Sequence, residues 1–249
     1  LWERIVKFFA SKGTPAKVVF LTATPYRVRG AMVCERSDIV YEVTFQEAVE
    51  QGYIRDILPM PVHSQHFRSQ MDTDVQGMYI LLSAVKSRLT EKNETYPLPV
   101  DTQSNPDPKH QVLAVTNSVE QAENVAWMAT VCGIKAVLYY NDYSKEVPKV
   151  VKKKEVYYKD GKQPMQKQNL ARGARSTFEA KQADMIIVIN MLTEGYDHPP
   201  ISMVVFFYAP GVGPRASQLI GRGVRKIRGE NEKVMCDVIW NATLLGKEM

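Results

Sequence analysis

The sequence predicts an α/β fold, a parallel β-sheet flanked by helices, and three observations carry that expectation. Short apolar runs of strand character alternate with segments whose apolar residues recur at helical spacing, the order expected of α/β units. One run, Asp184-Met185-Ile186-Ile187-Val188-Ile189-Asn190, is almost continuously apolar, as a strand buried on both faces of a parallel sheet requires. The composition is globular, 45% hydrophobic and 24% charged over 249 residues, enough chain for one large domain or two small ones.

The elements follow in order. Residues 1–12 read as the end of a helix, with Trp2, Ile5, Val6, Phe8 and Phe9 at helical spacing, stopped by Ser11-Lys12-Gly13-Thr14-Pro15. That opening lacks a Met and any signal pattern, so the chain is expected to be a piece of a longer protein. Lys17–Leu21 reads as a short buried strand, with Thr22-Ala23-Thr24-Pro25-Tyr26-Arg27 at its carboxyl end, where ligand sites lie in open α/β sheets. Thr44 with Glu47 forms a capping box that opens a short helix through Glu50, ending at Gly52. Pro59 and Pro61 mark a boundary between a unit at 1–58 and one at 59–249. Met78–Leu89 reads as a helix, and 91–110, with four prolines, as a surface loop or insert.

Val112–Val115 is the next strand, with Thr116-Asn117-Ser118 at its end. Ser118 caps a helix through about Thr130, partnered by Gln121, and Gly133 closes it. Lys135–Tyr140 is a strand and 143–168 a second insert. Asn169–Glu179 is a helix, the apolar run at 184–190 a strand, and Ile201–Tyr208 and Val234–Trp240 are the last two strands.

The net charge of +5 is matched by one segment, because 143–168 holds eight lysines against three acidic residues. Lys152-Lys153-Lys154 beside Tyr157 and Tyr158 suits nucleic acid, and equally suits a solvated charged loop. No apolar run approaches the roughly 18 residues of a membrane span. Cys34, Cys132 and Cys236 are far apart and odd in number, which points to free thiols in a reducing compartment, cytoplasmic or nuclear rather than secreted. His63 and His66 lack a second ligand pair, so no metal site is expected.

The most informative stretch is Ser217–Arg225, SQLIGRGVR. Gly213-Pro214 reads as a helix start. On a helix Gln218, Arg222 and Arg225 fall at i, i+4 and i+7, placing an amide and two guanidinium groups on one face. Gly221 and Gly223 each cost roughly 1 kcal/mol in a helix interior against Ala, which suggests close approach by another backbone or a ligand. Two planar cations suit a polyphosphate; a solvated basic face is the alternative.

The Q-x-x-G-R-x-x-R spacing resembles motif VI of the superfamily 2 helicases and translocases, and other motifs stand upstream in order. Thr22, Ala23 and Thr24, in the form LTATPYR, resemble motif III of the branch that includes type III restriction endonuclease motor subunits and excision-repair helicases. Thr116, Asn117 and Ser118 resemble motif IV, and Glu194-Gly195-Tyr196-Asp197 resembles motif V. Many members carry a phosphate-contacting Thr five or six residues before that glycine; here Asn190 and Ile189 stand there, so this contact is not carried over.

The resemblance implies a RecA-like P-loop-NTPase fold, with the end of one lobe at 1–58 and a second lobe at 59–249. It implies ATP and Mg²⁺ as cofactors of the whole protein, a DNA or RNA track with DNA favoured, and a preceding lobe in the same polypeptide. Arg222 and Arg225 would act on the γ-phosphate, with Gln218 orienting the site. Glu194, Gly195, Asp197 and Gly221 would line the ATP cleft, Thr22–Thr24 would couple the two sites, and Thr116–Ser118 would hold nucleic acid. The chain contains no G-x-x-x-x-G-K-[ST] loop, so it is expected to be inactive alone. Two other readings stay open: a non-catalytic nucleic-acid-binding scaffold of the same fold, and the motor of a restriction-type nuclease.

Overall fold

The computed structural model describes residues 42–63, 75–100, 108–139, 174–189, 196–208 and 214–242. Contacts divide the chain into Leu1–Tyr41 and Glu42–Met249, and every described residue lies in the second unit. The expected elements before residue 42, with Thr22, Ala23 and Thr24, lie outside the described residues, as do Glu194, Gly195 and the lysine-rich segment.

Eleven elements are described: α1 (Phe45–Glu50), β1 (Ile57–Val62), α2 (Val75–Thr95), β2 (Gln111–Thr116), α3 (Val119–Val131), β3 (Ala136–Tyr139), α4 (Ala174–Glu179), β4 (Met185–Ile189), β5 (Ile201–Phe206), α5 (Pro214–Gly223) and β6 (Cys236–Asn241). The six strands form one sheet in the order β1-β6-β5-β2-β4-β3. Every pairing is parallel. This is the predicted α/β class.

Alternation along each strand divides the core into two layers. On one face α2 and α3 bring Leu81, Leu82, Val85, Val125 and Met128 onto Val112, Ala114, Met185, Ile187, Met203 and Val205. On the other, Phe178 of α4 and Leu219 of α5 cover Leu113, Val115, Ile186, Val188, Val204 and Phe206. Strands β2 and β5 are buried at every position. Fully burying each such Val, Leu or Ile contributes about 1.5–3 kcal/mol.

Local signals hold where they were expected. The Thr44 hydroxyl accepts from Glu47 N, and Glu47 Oε2 accepts from Thr44 N at 2.8 Å, a complete capping box. Gly52 and Gly133 take positive φ, 73° and 72°, as the expected ends of α1 and α3 require.

Two expectations differ from the structure. Pro59 and Pro61 lie inside β1, which runs from Ile57 to Val62, rather than breaking the chain there. Asp56 O and Val62 O accept from Cys236 N and Ala242 N, so even-numbered residues face β6 and the prolines turn to the outer side of an edge strand. There a missing N–H costs no ladder bond. Helix α2 continues through Thr95 rather than giving way to a loop at 91. Lys92 holds it: this buried side chain donates to Ser202 O and Met235 O at 2.9 and 2.6 Å and pairs with Asp237 at 3.0 Å.

Candidate functional site

Helix α5 connects β5 to β6 and therefore runs back toward the beginning of β5. Pro214 occupies its first turn, where no N–H is needed, and Leu219 anchors it on the sheet. Its last residue lies close against the sheet: a Cβ on Gly223 would stand 2.4 Å from Cys236 Sγ and 2.9 Å from Val204 Cγ2. The close approach expected of these glycines is thus made by Gly223. Gly221 has nothing within 4 Å of its Cβ position and leaves space beside Arg222.

Two arginines converge on one carbonyl. Arg222 Nη1 donates to Tyr196 O at 2.8 Å and Arg225 Nη1 donates to the same oxygen at 3.0 Å. Arg225 also pairs with Asp197, whose side chain is 72% exposed and thus reachable from solvent. Arg222, Arg225 and Asp197, predicted as site residues from separate stretches, are therefore brought together. Gln218, half-buried, lies one turn before Arg222.

The route to this arrangement differs from the expected one. Arg225 is not on the helix, which ends at Gly223. Arg55 N takes the carbonyl of Val224 at 2.7 Å, and Arg225 forms a β-bridge with Ile54. The chain leaves the helical path to pair with the segment before β1, and the guanidinium reaches the site from there.

Tyr196 is itself fixed. Its ring is buried, 5.9 Å from the His198 ring and stacked on it, with the Arg175 guanidinium 5.0 Å from its centroid. Burial pushes its phenol above the ordinary range. Gln111 Nε2 donates to Phe178 O and Ala183 O, which turns its Oε1 to His198 Nε2 at 2.7 Å. His198 therefore carries its proton on Nε2, and burial lowers its pKa to about 4.

Arg55 is the participant that the sequence did not disclose. It is 1% exposed, yet all five guanidinium N–H groups have partners. Nε and Nη2 donate to Glu230 Oε1 and Oε2 at 2.5 and 2.6 Å. Nη1 donates to Ile201 O and Gly223 O at 2.6 and 2.9 Å, and Nη2 to Pro199 O at 2.9 Å. Neighbours Tyr53, Ile54 and Asp56 give no pattern that would mark an arginine here as interior.

A second candidate region lies at the carboxyl edge of the sheet. The connection after β2 turns to the α3 face, whereas β5 leads to α5 on the opposite face; this is a topological switch point, where open α/β sheets hold ligands in a crevice. Ser118 Oγ accepts from Gln121 N at 3.1 Å, the expected cap. Gln121 Oε1 accepts from Asn117 N at 2.9 Å, one residue earlier than a capping box would have it, and its Nε2 donates to Phe207 O at 2.9 Å. Asn117 is exposed and Ser118 half-buried. Thr116 stands apart from them: its side chain is fully buried and its hydroxyl donates to Val188 O at 3.0 Å. Among the described residues no cluster of His, Cys, Asp and Glu could hold a metal, and no helix is long and apolar enough to cross a membrane.

Among solved structures, a fragment of a putative HsdR subunit of a type I restriction enzyme from Vibrio vulnificus YJ016 matches 96% of this chain and 41% of its own, at 15% identity and TM-score 0.58. The likeness is one of fold, a RecA-like parallel sheet flanked by helices. The ATP-dependent type ISP restriction-modification enzyme LlaBIII, in a complex with DNA, matches 80% of this chain and 13% of its own at 16% identity and TM-score 0.44. The C-terminal domain of the DEAD-box protein Dbp5 matches 76% of each chain at 13% identity and TM-score 0.40. The chain thus spans under half the length of the two restriction proteins. No protein-family model and no curated protein sequence matches it.

Proposed function

We propose that this RecA-like lobe is the C-terminal part of an ATP-dependent helicase or translocase, in which Arg222 and Arg225 act on the nucleotide. The observation that supports the reading is the convergence of the two guanidinium groups on the Tyr196 carbonyl beside exposed Asp197 and open Gly221. Planar cations so held can take up phosphate oxygens bidentately and stabilise charge as the γ-phosphoryl group transfers. Gln218 would help orient the same site, and Gly195 and Glu194 would complete its wall. Phosphate-cradling and Mg²⁺-holding groups would come from a preceding lobe. Asn117 and Ser118, at the crevice, would meet a phosphodiester backbone without reading sequence.

A solved structure that matches 96% of this chain belongs to a restriction enzyme, and for that reason we place DNA ahead of RNA as the track. The deciding experiment is ATP hydrolysis by the full-length protein, with and without each polymer, beside Arg222→Ala. The expected result is stimulation by DNA and a loss of about 10³-fold or more in the variant. Nucleic-acid binding with no hydrolysis by the wild type would replace this reading with the scaffold.

A further inference from the structure

We propose that Arg55 is a positioning residue for the arginine pair: it sets where Arg222 and Arg225 stand relative to Tyr196 and Asp197. This rests on the reading of that pair as acting on a nucleotide. Three segments build the arginine site, and Arg55 bonds to each. Its Nη1 holds Gly223 O, the residue after Arg222. Its backbone N holds Val224 O, and the bridge between Ile54 and Arg225 adjoins it. Its Nη1 and Nη2 hold Ile201 O and Pro199 O, at the end of the segment that carries Tyr196 and Asp197. Glu230 takes two of its N–H groups and also accepts from Ile227 N at 3.2 Å, which fixes the loop after Arg225.

Arg55 itself does not reach the Tyr196 carbonyl, so it acts through the residues it holds. Lysine cannot replace it, because three donors on a single nitrogen cannot serve five acceptors arranged around a planar fork. Arg55 also lies in the segment between Gly52 and β1, so displacement of that segment would move the arginine pair with it.

The test measures kcat and KM for ATP in the full-length protein for Arg55→Lys, Glu230→Gln, Arg222→Ala and the Arg55→Lys/Arg222→Ala double variant. Misplacement of a catalytic group by about 1 Å can cost about 10²-fold, and a loss of that order in kcat with KM little changed is expected for Arg55→Lys. The double variant should lose less than the product of the two single losses, because the placement of Arg222, part of what Arg55→Lys disturbs, is already gone in Arg222→Ala. Glu230→Gln should fall in the same direction, with a melting transition that is lowered, because the buried guanidinium loses its carboxylate, but stays cooperative. Amide hydrogen exchange should rise at 196–201 and 223–230 and stay unchanged in β2 and β4. Losses that multiply in the double variant, a wild-type kcat in both single variants, or exchange that rises through the whole sheet would each overturn the proposal. If Arg222→Ala keeps the wild-type rate, the nucleotide reading falls and the role of Arg55 falls with it; if Arg222→Ala is slow and Arg55→Lys is not, only the role of Arg55 falls.

Discussion

His198 shows how a single side chain ties the core to the site. Its neutral form donates to Gln111 and stacks on Tyr196, whose carbonyl receives both arginines. Its pKa falls from 6.5 in an exposed setting to about 4 in the fold, chiefly by desolvation, with the Lys181 charge acting in the same direction. The unfolded chain therefore binds the proton first as the pH drops. The stability from neutral His198 is complete above about pH 6.5 and is lost as the pH falls through the folded value near 4. Urea midpoints at pH 7 and pH 5 should differ less for His198→Gln than for the wild type. An equal difference would mean that other groups set the acid sensitivity; buried His110, lowered to about 3, would be the first to examine. The sequence showed four scattered histidines and no reason to single this one out, since its partners come from residues 111 and 178, far along the chain.

Helix α3 carries the second candidate region, and two side chains share its first turn. Ser118 Oγ satisfies Gln121 N, whereas Gln121 joins Asn117 N to Phe207 O across the crevice. Ser118→Ala should cost about 0.5–2 kcal/mol, the usual value of an N-cap. Gln121→Ala strips partners from two backbone groups in a buried place and should cost more, since each orphaned group forfeits about 1–3 kcal/mol. Denaturant titration of the two variants checks the order. This element was legible because a cap and its partner lie three residues apart in the chain. The same held for the capping box at Thr44 and for the apolar runs of β2, β4 and β5. Elements governed by distant partners were not legible. The last turn of α2 looked polar because the carboxylate that draws Lys92 inward belongs to Asp237. Arg225 looked helical because the bridge that draws it off the helix is made by Ile54. Proline at 59 and 61 read as punctuation because only the sheet order shows that β1 is an edge.

The sheet as a whole ends on one side at β1, and among the described residues nothing pairs with that outer side. An unpaired strand edge is a template for another chain, and proline is one of the residues that blunt it. Pro59→Val with Pro61→Val should restore the missing donors and promote self-association, seen as light scattering that grows with concentration; a variant that stays monomeric would assign the prolines another purpose. On the β1 side the architecture also has a history in time. Arg55 and Glu230 are 175 residues apart in sequence, and among the described residues β1 pairs only with β6, the last of the described strands. Closing so long a loop carries an entropic cost that local contacts do not, and such contacts form late. A ribosome must release the chain past β6 before β1 can enter the sheet, and past Glu230 before Arg55 can hold the arginine pair in place. Until then β2, β4 and β3 can assemble first, and within this sheet the Arg222 and Arg225 site is among the last parts to form.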